Sequence, residues 1–336
     1  MLVTGGSGFI GAWCVIELLK RGYAVRATIR DLRRAEAVRS MIATEVDPGD
    51  RLALVETQLT EDRGWTDAVQ GCTCVLHVAS PLPPRQPRDA RELITPARDG
   101  TLRVLRASAA AGVRRVVMTS SVAAITLTPA LPRPDPLTEE HWTDPQHPEA
   151  SPYARSKTLA EQAAWAFMRE NGGDMTLTTI NPVVVIGPVL GRDYSFSVQV
   201  IERLLRGAAP GLPRLGFPLV DVRDVADLHV RAMSATQAAG ERFIATGRFL
   251  WISEMADILR ARLGPQARKV PTRPVPNWLI RLATVFDSSL RFITPELDRR
   301  RNYSSEKAQR LLGWTPRPVE DSILDCARSL IRHGAV

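Results

Sequence analysis

An α/β architecture, one doubly wound parallel sheet with a smaller, mostly helical C-terminal lobe, is what this 336-residue sequence predicts. Three observations predict it. The chain opens with a short apolar run that breaks into glycines and then into a helical pattern. Strand-like and helix-like stretches then alternate at the period of βαβ units, which makes the strands parallel and covers both faces of the sheet. The last third is mostly helical with proline breaks and carries no cofactor motif, which marks it as a candidate substrate lobe.

Leu2 and Val3 read as the end of a buried strand, and Phe9, Ile10, Trp13, Val15, Ile16, Leu18 and Leu19 as a helix closed by Gly22. Between them, Gly6, Gly8 and Gly11 satisfy G-x-G-x-x-G, and Gly5, Gly8 and Gly11 satisfy G-x-x-G-x-x-G. One glycine permits the tight turn, one lets backbone approach a pyrophosphate, and one lets the helix pack close to the strand. The helix N-terminus adds free N–H groups and a positive dipole end. The strand before and the helix after distinguish this dinucleotide-binding turn from an ordinary glycine turn.

Ala24–Ile29 reads as a second strand ending in Arg30-Asp31, and Arg33–Thr44 as a helix. After the turn Asp47-Pro48-Gly49-Asp50, Leu52–Val55 is a third strand. A short helix closes through Asp67–Gln70, and Cys74–Ala79 is a fourth strand, followed by a proline-rich loop from Pro81 to Pro87. A long helix runs from about Asp89 to Ala111, and Arg115–Ser121 is a fifth strand. Seven prolines between residues 128 and 152 forbid regular structure and lead into a helix from Tyr153 to Arg169. Met175–Asn181 is a sixth strand, Val222–Met233 a helix, and Arg242–Ala245 a returning strand.

Hydrophobic content of 44% and charged content of 24% are those of a soluble globular protein. No apolar run approaches the roughly 20 residues of a membrane span, and the N-terminus runs straight into strand and glycine turn without a signal-peptide pattern. The four cysteines are Cys14, Cys72, Cys74 and Cys326; Cys72-x-Cys74 lacks metal-ligand company and reads as buried free thiols, so no metal site is expected, and a reducing cytoplasm is. The net charge of +8 raises the question of nucleic acid. Only four of the 44 cationic residues are lysine, the arginines are scattered, and no aromatic-interleaved basic stripe occurs. No nucleic-acid or membrane partner is therefore expected; the charge suits anionic substrates or cofactor phosphates.

Three further signals bear chemistry. Tyr153 and Lys157 stand at i, i+4 on one helix face, where an ammonium beside a phenol lowers the phenol pKa and suits it to proton exchange with a carbonyl or alcohol. Thr119-Ser120-Ser121 ends a strand at the carboxyl edge of the sheet, where ligands bind in open α/β folds. A hydroxyl there can hold a substrate oxygen. Arg30 ends the second strand, where an arginine suits the 2′-phosphate of NADP and an acid the ribose of NAD; Asp31, turned inward, is the competing group. Singly, each has a plain structural reading: an exposed helix pair, a capped strand end, and, for Arg33 and Arg34, a solvated helix face.

Together these stretches resemble the extended short-chain dehydrogenase/reductase family, in the branch of dihydroflavonol 4-reductase, cinnamoyl-CoA reductase and microbial aldehyde and ketone reductases. The matching text is Thr4–Gly11, Val25–Asp31, Gly71–Pro81, Val116–Ser121, Ser151–Trp165, Thr179–Pro188, Val220–His229, Tyr303–Lys307 and Leu311–Trp314, and the resemblance spans nearly the whole chain. The resemblance implies a Rossmann-type fold, an NADP(H) cofactor, and a catalytic triad of Ser121, Tyr153 and Lys157. Tyr153 would be the general acid, Lys157 would lower its pKa and hold the nicotinamide ribose, and Ser121 would bind the substrate oxygen. It further implies cofactor contacts at Gly5, Gly8, Phe9, Ile10 and Gly11 (pyrophosphate), Arg30 (2′-phosphate), Gln58 and Leu59 (adenine), Val78, Ala79, Ser80 and Thr119 (along the dinucleotide), and Pro182, Val183, Val184, Val185 and Ser197 (near the nicotinamide). The lobes would be interleaved: residues 1–182 with about 216–246 for the cofactor, and about 183–215 with 247–336 for the substrate. The partner is then a small-molecule carbonyl or alcohol, and the chain a monomer or a homodimer formed through the helices near 89–111 and 153–169.

Two positions depart from the family's pattern. Gln58-Leu59 stands where an Asp-Leu pair is common, although an amide can still bond adenine. Thr126 stands where the flavonoid enzymes carry Asn or Asp, which argues against a flavonoid substrate. An NADPH-dependent carbonyl reductase is the leading expectation. A nucleotide-sugar epimerase or dehydratase, a hydroxysteroid dehydrogenase-like enzyme and a non-catalytic dinucleotide sensor are the alternatives. Arg30, and Val122-Ala123 in place of Asp-Glu after Ser121, count against the first, and retention of Tyr153 and Lys157 against the last.

Overall fold

The computed structural model describes residues 1–81, 89–130, 134–192, 194–208, 211–283 and 294–336, so almost all of the expected proline-rich loop lies outside the described residues. The elements in chain order begin β1 (Leu2–Thr4), α1 (Phe9–Lys20), β2 (Val25–Ile29), α2 (Ala35–Ala43), β3 (Leu52–Glu56), α3 (Trp65–Val69), β4 (Cys74–His77), α4 (Arg91–Ala110), β5 (Arg115–Thr119), α5 (Pro152–Asn171) and β6 (Thr176–Pro182). They continue with β7 (Val184–Ile186), α6 (Gln199–Arg206), β8 (Leu212–Pro213), β9 (Gly216–Asp221), α7 (Val222–Ser234), β10 (Arg242–Ala245), β11 (Phe249–Trp251), α8 (Ile252–Leu263), β12 (Pro274–Val275), α9 (Asn277–Ala283), α10 (Glu306–Leu312) and α11 (Val319–Arg332).

The chain packs as two compact units. The first comprises residues 1–182, 223–245 and 305–315 and holds a seven-stranded sheet in the order β10-β6-β5-β4-β1-β2-β3. Every pairing in it is parallel, with Val3 beside Ala27 and Leu76, and Met118 beside Thr179. The order reverses between β1 and β4, because the chain runs outward through β2 and β3 and then returns to the other side of β1. The carboxyl ends of strands at such a reversal form the ligand crevice of open α/β sheets. On one face α4 and α5 pack together through Val104, Leu105, Ala160, Ala164 and Phe167. Helix α5 starts where its sequence dictates: Ser151 Oγ accepts from Ala154 N at 3.1 Å, and Pro152 fills the first turn, where its missing N–H costs nothing.

The second unit comprises residues 183–222, 246–304 and 316–336. Besides α6, α8, α9 and α11 it carries a three-stranded sheet, β11-β9-β7, and the short pair β12-β8. These strands carry little sequence signal: β9 contains Pro218, and β8 and β12 are two residues long. Unit boundaries differ from the expected lobes at two places. Residues 216–222 belong to the second unit because β9 pairs with β7 and β11. Residues 305–315 belong to the first: Trp314 is fully buried and its indole N–H donates to the Asp224 carbonyl at 2.8 Å, while Arg231 Nη1 reaches the Leu312 carbonyl at 3.1 Å. Among the described residues no helix is long and apolar enough to cross a membrane. All four cysteines are free thiols.

Candidate active site

The glycine turn is built by close approach. Gly5 has φ +70°, a left-handed conformation, and a Cβ on Gly11 would lie 2.1 Å from the Gly5 carbonyl oxygen. Gly8 N donates to that same carbonyl at 2.9 Å, and Gly6 N donates to the Thr28 carbonyl at 2.9 Å. Gly8 caps α1 without a side chain, so the first N–H groups of the helix face outward with no intrahelical partner. The turn is also anchored from below. Thr4 Oγ1 accepts from Ala79 N at 3.0 Å and donates to His77 Nδ1 at 2.9 Å. On the other side of the ring, His77 Nε2 donates to Thr101 Oγ1 at 3.3 Å, because the Thr101 proton is spent on the Ala97 carbonyl at 2.8 Å. Burial first, and the Lys157 charge second, push the His77 pKa down to about 3, so this ring stays neutral. The bond from Ala79 N to a side chain also ends β4 at His77, two residues short of the expected strand.

Beside the turn an open recess of about 750 Å³ is lined by Ser7, Arg30, Asp31, Arg33, Glu56 and Gln58, among others. Arg30 is exposed there, and its guanidinium has no partner among the described residues. Asp31 does not compete with it. The carboxylate accepts from Arg33 N, Nε and Nη2 at 2.9–3.1 Å, and these bonds hold its pKa below the usual carboxylate range. Gln58 lines the recess, whereas Leu59 turns toward the core, where Gly100 gives it room. A cradle open at its glycines and a free guanidinium at the end of β2 fit a dinucleotide carrying a 2′-phosphate.

At the carboxyl end of β5, Ser121 is extended, and its Oγ accepts from Ala123 N at 3.1 Å. That leaves the hydroxyl proton available toward Tyr153, whose phenol has Ser121 as its polar neighbour. Burial raises the Tyr153 pKa and the Ser121 hydroxyl opposes it, so the phenol is protonated in the neutral range. The sequence expectation was a phenol pKa lowered by Lys157. Here the Lys157 ammonium is instead donated to the Thr119 carbonyl at 3.3 Å, and burial brings its own pKa down to about 8 against the pull of Glu161. Thr119 is fixed in turn: its hydroxyl donates to His229 Nε2 at 2.7 Å, while His229 Nδ1 donates to the Val225 carbonyl at 2.7 Å.

Ser121, Tyr153, Lys157, Thr119, the glycine turn and Ala79 thus all sit at the carboxyl edge of the first unit's sheet. In the second unit, Val184 and Val185 lie in β7, and Ser197 Oγ donates to the Val185 carbonyl at 2.5 Å. Sequence reasoning missed the buried polar residues behind the triad, Glu161, Asn181, His229 and Arg242, and the Arg33 grip on Asp31. Glu161 alone had a local signal, since it follows Lys157 by four residues on the same helix face.

The profile of the NAD dependent epimerase/dehydratase family matches residues 1–245. Cinnamoyl-CoA reductase CAD2 of Medicago truncatula is 40% identical over 262 residues, covering 77% of this chain and 79% of that protein. Cinnamoyl-CoA reductase 2 of the same plant is 33% identical over 342 residues, covering 99% and 91%. Among solved structures, yeast methylglyoxal/isovaleraldehyde reductase Gre2, complexed with NADPH, superposes with a TM-score of 0.81 at 25% identity over 100% of this chain and 99% of that one.

Proposed function

The chain belongs to the NAD-dependent epimerase/dehydratase family, the extended short-chain dehydrogenase/reductases, and from that membership we propose that it is an NADPH-dependent reductase of an aldehyde or ketone carbonyl. The observation that carries this reading is the meeting of Ser121, at the carboxyl end of β5, with a protonated Tyr153 that has Lys157 one turn further along α5. Gly5, Gly8, Phe9, Ile10 and Gly11 would hold the pyrophosphate, Arg30 the 2′-phosphate and Gln58 the adenine, with Leu59 packed behind it and Val78, Ala79, Ser80 and Thr119 along the dinucleotide. NADPH, when bound, supplies the hydride.

The chain's own groups supply the rest. Tyr153 gives its phenolic proton to the carbonyl oxygen; its raised pKa keeps it loaded for that transfer. Ser121 holds the same oxygen and, with Ala123 N already donating to its Oγ, has its proton free for the oxyanion or for the phenolate left behind. Lys157 keeps a positive charge one helical turn from Tyr153 and favours that phenolate. A nucleotide-sugar epimerase would use an acid at the end of β2; Arg30 stands there, and Asp31 is taken by Arg33.

The test is loss of NADPH absorbance with a panel of aromatic and aliphatic aldehydes and ketones, with NADH in parallel. Turnover with NADPH is expected. Tyr153→Phe should lower kcat by about 10²–10⁴-fold, the usual worth of a positioned general acid, while NADPH still binds. Cofactor binding with silence across the panel, or a fully active Tyr153→Phe, would sink the reading.

A further inference from the structure

Behind the triad lies a fully buried carboxylate that the proton transfer itself does not use. Glu161 follows Lys157 by one turn on α5 and is 0% exposed. Its Oε2 accepts from Ser120 Oγ at 2.5 Å and from Asn181 Nδ2 at 2.9 Å. Its Oε1 accepts from Arg242 Nε at 2.7 Å and from Thr179 Oγ1 at 3.0 Å, with the Trp165 indole N–H at 3.4 Å. One carboxylate therefore gathers donors from β5's end, β6, β10 and its own helix. Asn181 Nδ2 also donates to the Ser121 carbonyl at 3.1 Å. Both the residue before the Ser121 hydroxyl and the peptide that carries it are tied to this group.

A buried ion pair is a poor way to stabilise a fold, because desolvation offsets most of the attraction. The Glu161 carboxylate is nevertheless bonded at both oxygens, and Arg242 is held through Nε and Nη1 while its Nη2 is buried without a hydrogen-bond partner. Arg242 stacks 3.7 Å from the Trp142 ring and donates to the carbonyls of Glu139 and His141. Ile244 N donates to the Glu139 carboxylate at 2.9 Å.

We propose that Glu161 is a positioning residue of the reductase site: it pins Ser121 through Ser120 and Asn181, and it sets a carboxylate one helical turn from Lys157 on α5. The proposal rests on the carbonyl reductase reading. The groups facing Lys157 are few. Tyr153 and Glu161 flank it on α5, neutral His77 faces it from β4, and the Thr119 carbonyl meets it from β5. Neutral His229 on α7 and Arg242 on β10 stand one residue further out, behind Thr119 and Glu161 respectively. Glu161 is the only carboxylate among these groups, and it supports the Lys157 ammonium.

The experiment measures two things on the full chain: the pH profile of NADPH-dependent turnover, and the pH midpoint at which the Lys157 amine becomes reactive, by competitive acetylation and peptide mass spectrometry. Glu161→Gln should move the Lys157 midpoint down by about one pH unit or more, since a neighbouring opposite charge favours the ammonium. It should also lower kcat by about tenfold or more through misplacement of Ser121, with NADPH affinity little changed. Glu161→Asp keeps the charge and should restore the midpoint while restoring kcat only in part. Asn181→Ala breaks the tie to Ser121 without a charge change, and should lower kcat with the midpoint unmoved. If Glu161→Gln leaves Arg242 too costly to fold, the double variant E161Q/R242M removes both charges, and its midpoint should still fall because the nearer charge is lost. A folded variant lacking the Glu161 charge, with wild-type midpoint and wild-type kcat, would overturn the proposal. Amine labelling needs no substrate, so a wild-type protein that reduces nothing would defeat the reductase reading and still leave the Glu161 charge effect measurable.

Discussion

Arg30→Ala isolates cofactor choice with unusual cleanness. Most arginines in this chain are committed: Arg26 reaches three backbone carbonyls, Arg51 the Leu19 carbonyl, and Arg33 grips Asp31. Arg30 is exposed in the recess beside the glycine turn and has no partner among the described residues. Truncating it orphans nothing, so fold stability should stay within about 0.5 kcal/mol, as for surface substitutions generally. What would be lost is the proposed bond to the 2′-phosphate. Charge-assisted hydrogen bonds are worth about 1.5–3 kcal/mol, and an exposed recess favours the lower half of that range. At about 1.4 kcal/mol per tenfold, NADPH affinity should fall by roughly 10–50-fold. NADH, which lacks that phosphate, should bind within about twofold of wild type, because no contact to it is touched. Fluorescence titration with both dinucleotides, at low and high salt, reads this directly, and the salt dependence of NADPH binding should weaken in the variant. Arg30→Glu should go further and favour NADH outright. Equal losses for the two dinucleotides, or an unchanged preference, would refute the assignment of this side chain to the phosphate.

Other expectations follow from buried groups. Lys157 titrates near 8, below its ordinary 10.5, so kcat/KM for reduction should fall as pH rises through about 8, and a flat profile to pH 10 would contradict that. The same shift has the opposite sign for stability: the unfolded chain holds the extra proton between 8 and 10.5, so Lys157's contribution should rise over that window, by about 3 kcal/mol in total, visible as a smaller rise in Lys157→Met. His77 and His229 are held neutral, with pKa values pushed down to about 3 and about 4, so the unfolded chain takes up protons first as pH falls below 6.5. Urea midpoints should therefore drop steadily from pH 6.5 to 4, and less steeply in His229→Gln. Gly11→Ala puts a methyl 2.1 Å from the Gly5 carbonyl and must open the turn; dinucleotide binding should be abolished, and calorimetry showing wild-type affinity would contradict the close approach.

What could be read from the sequence was what backbone geometry or helix periodicity makes local. The glycine turn announces itself because only glycine tolerates the Gly5 conformation and the Gly11 approach, and Tyr153 and Lys157 because one helical turn aligns them. The strands through β6 were legible because burial on both faces makes them plain apolar runs. The rest depended on partners distant in sequence. Pro218 hides β9, whose place is set by pairing with β7 and β11. Nothing local assigns residues 305–315 to the first unit; the Trp314 indole bond to Asp224 does. Whether Asp31 turns toward a ribose or toward Arg33 is a rotamer choice on which the sequence is silent. The Tyr153 pKa was misjudged for a related reason. Charge adjacency on a helix predicts a lowered value, whereas desolvation by surrounding chain segments raises it and leaves the phenol protonated. Glu161 carries the point furthest. Its position relative to Lys157 is visible in a helical wheel, but a wheel cannot distinguish a solvated surface ion pair from a buried carboxylate with five donors. That distinction requires β5, β6 and β10 to be in place, because the strands that expose the triad at the sheet's edge are the ones that bury its support.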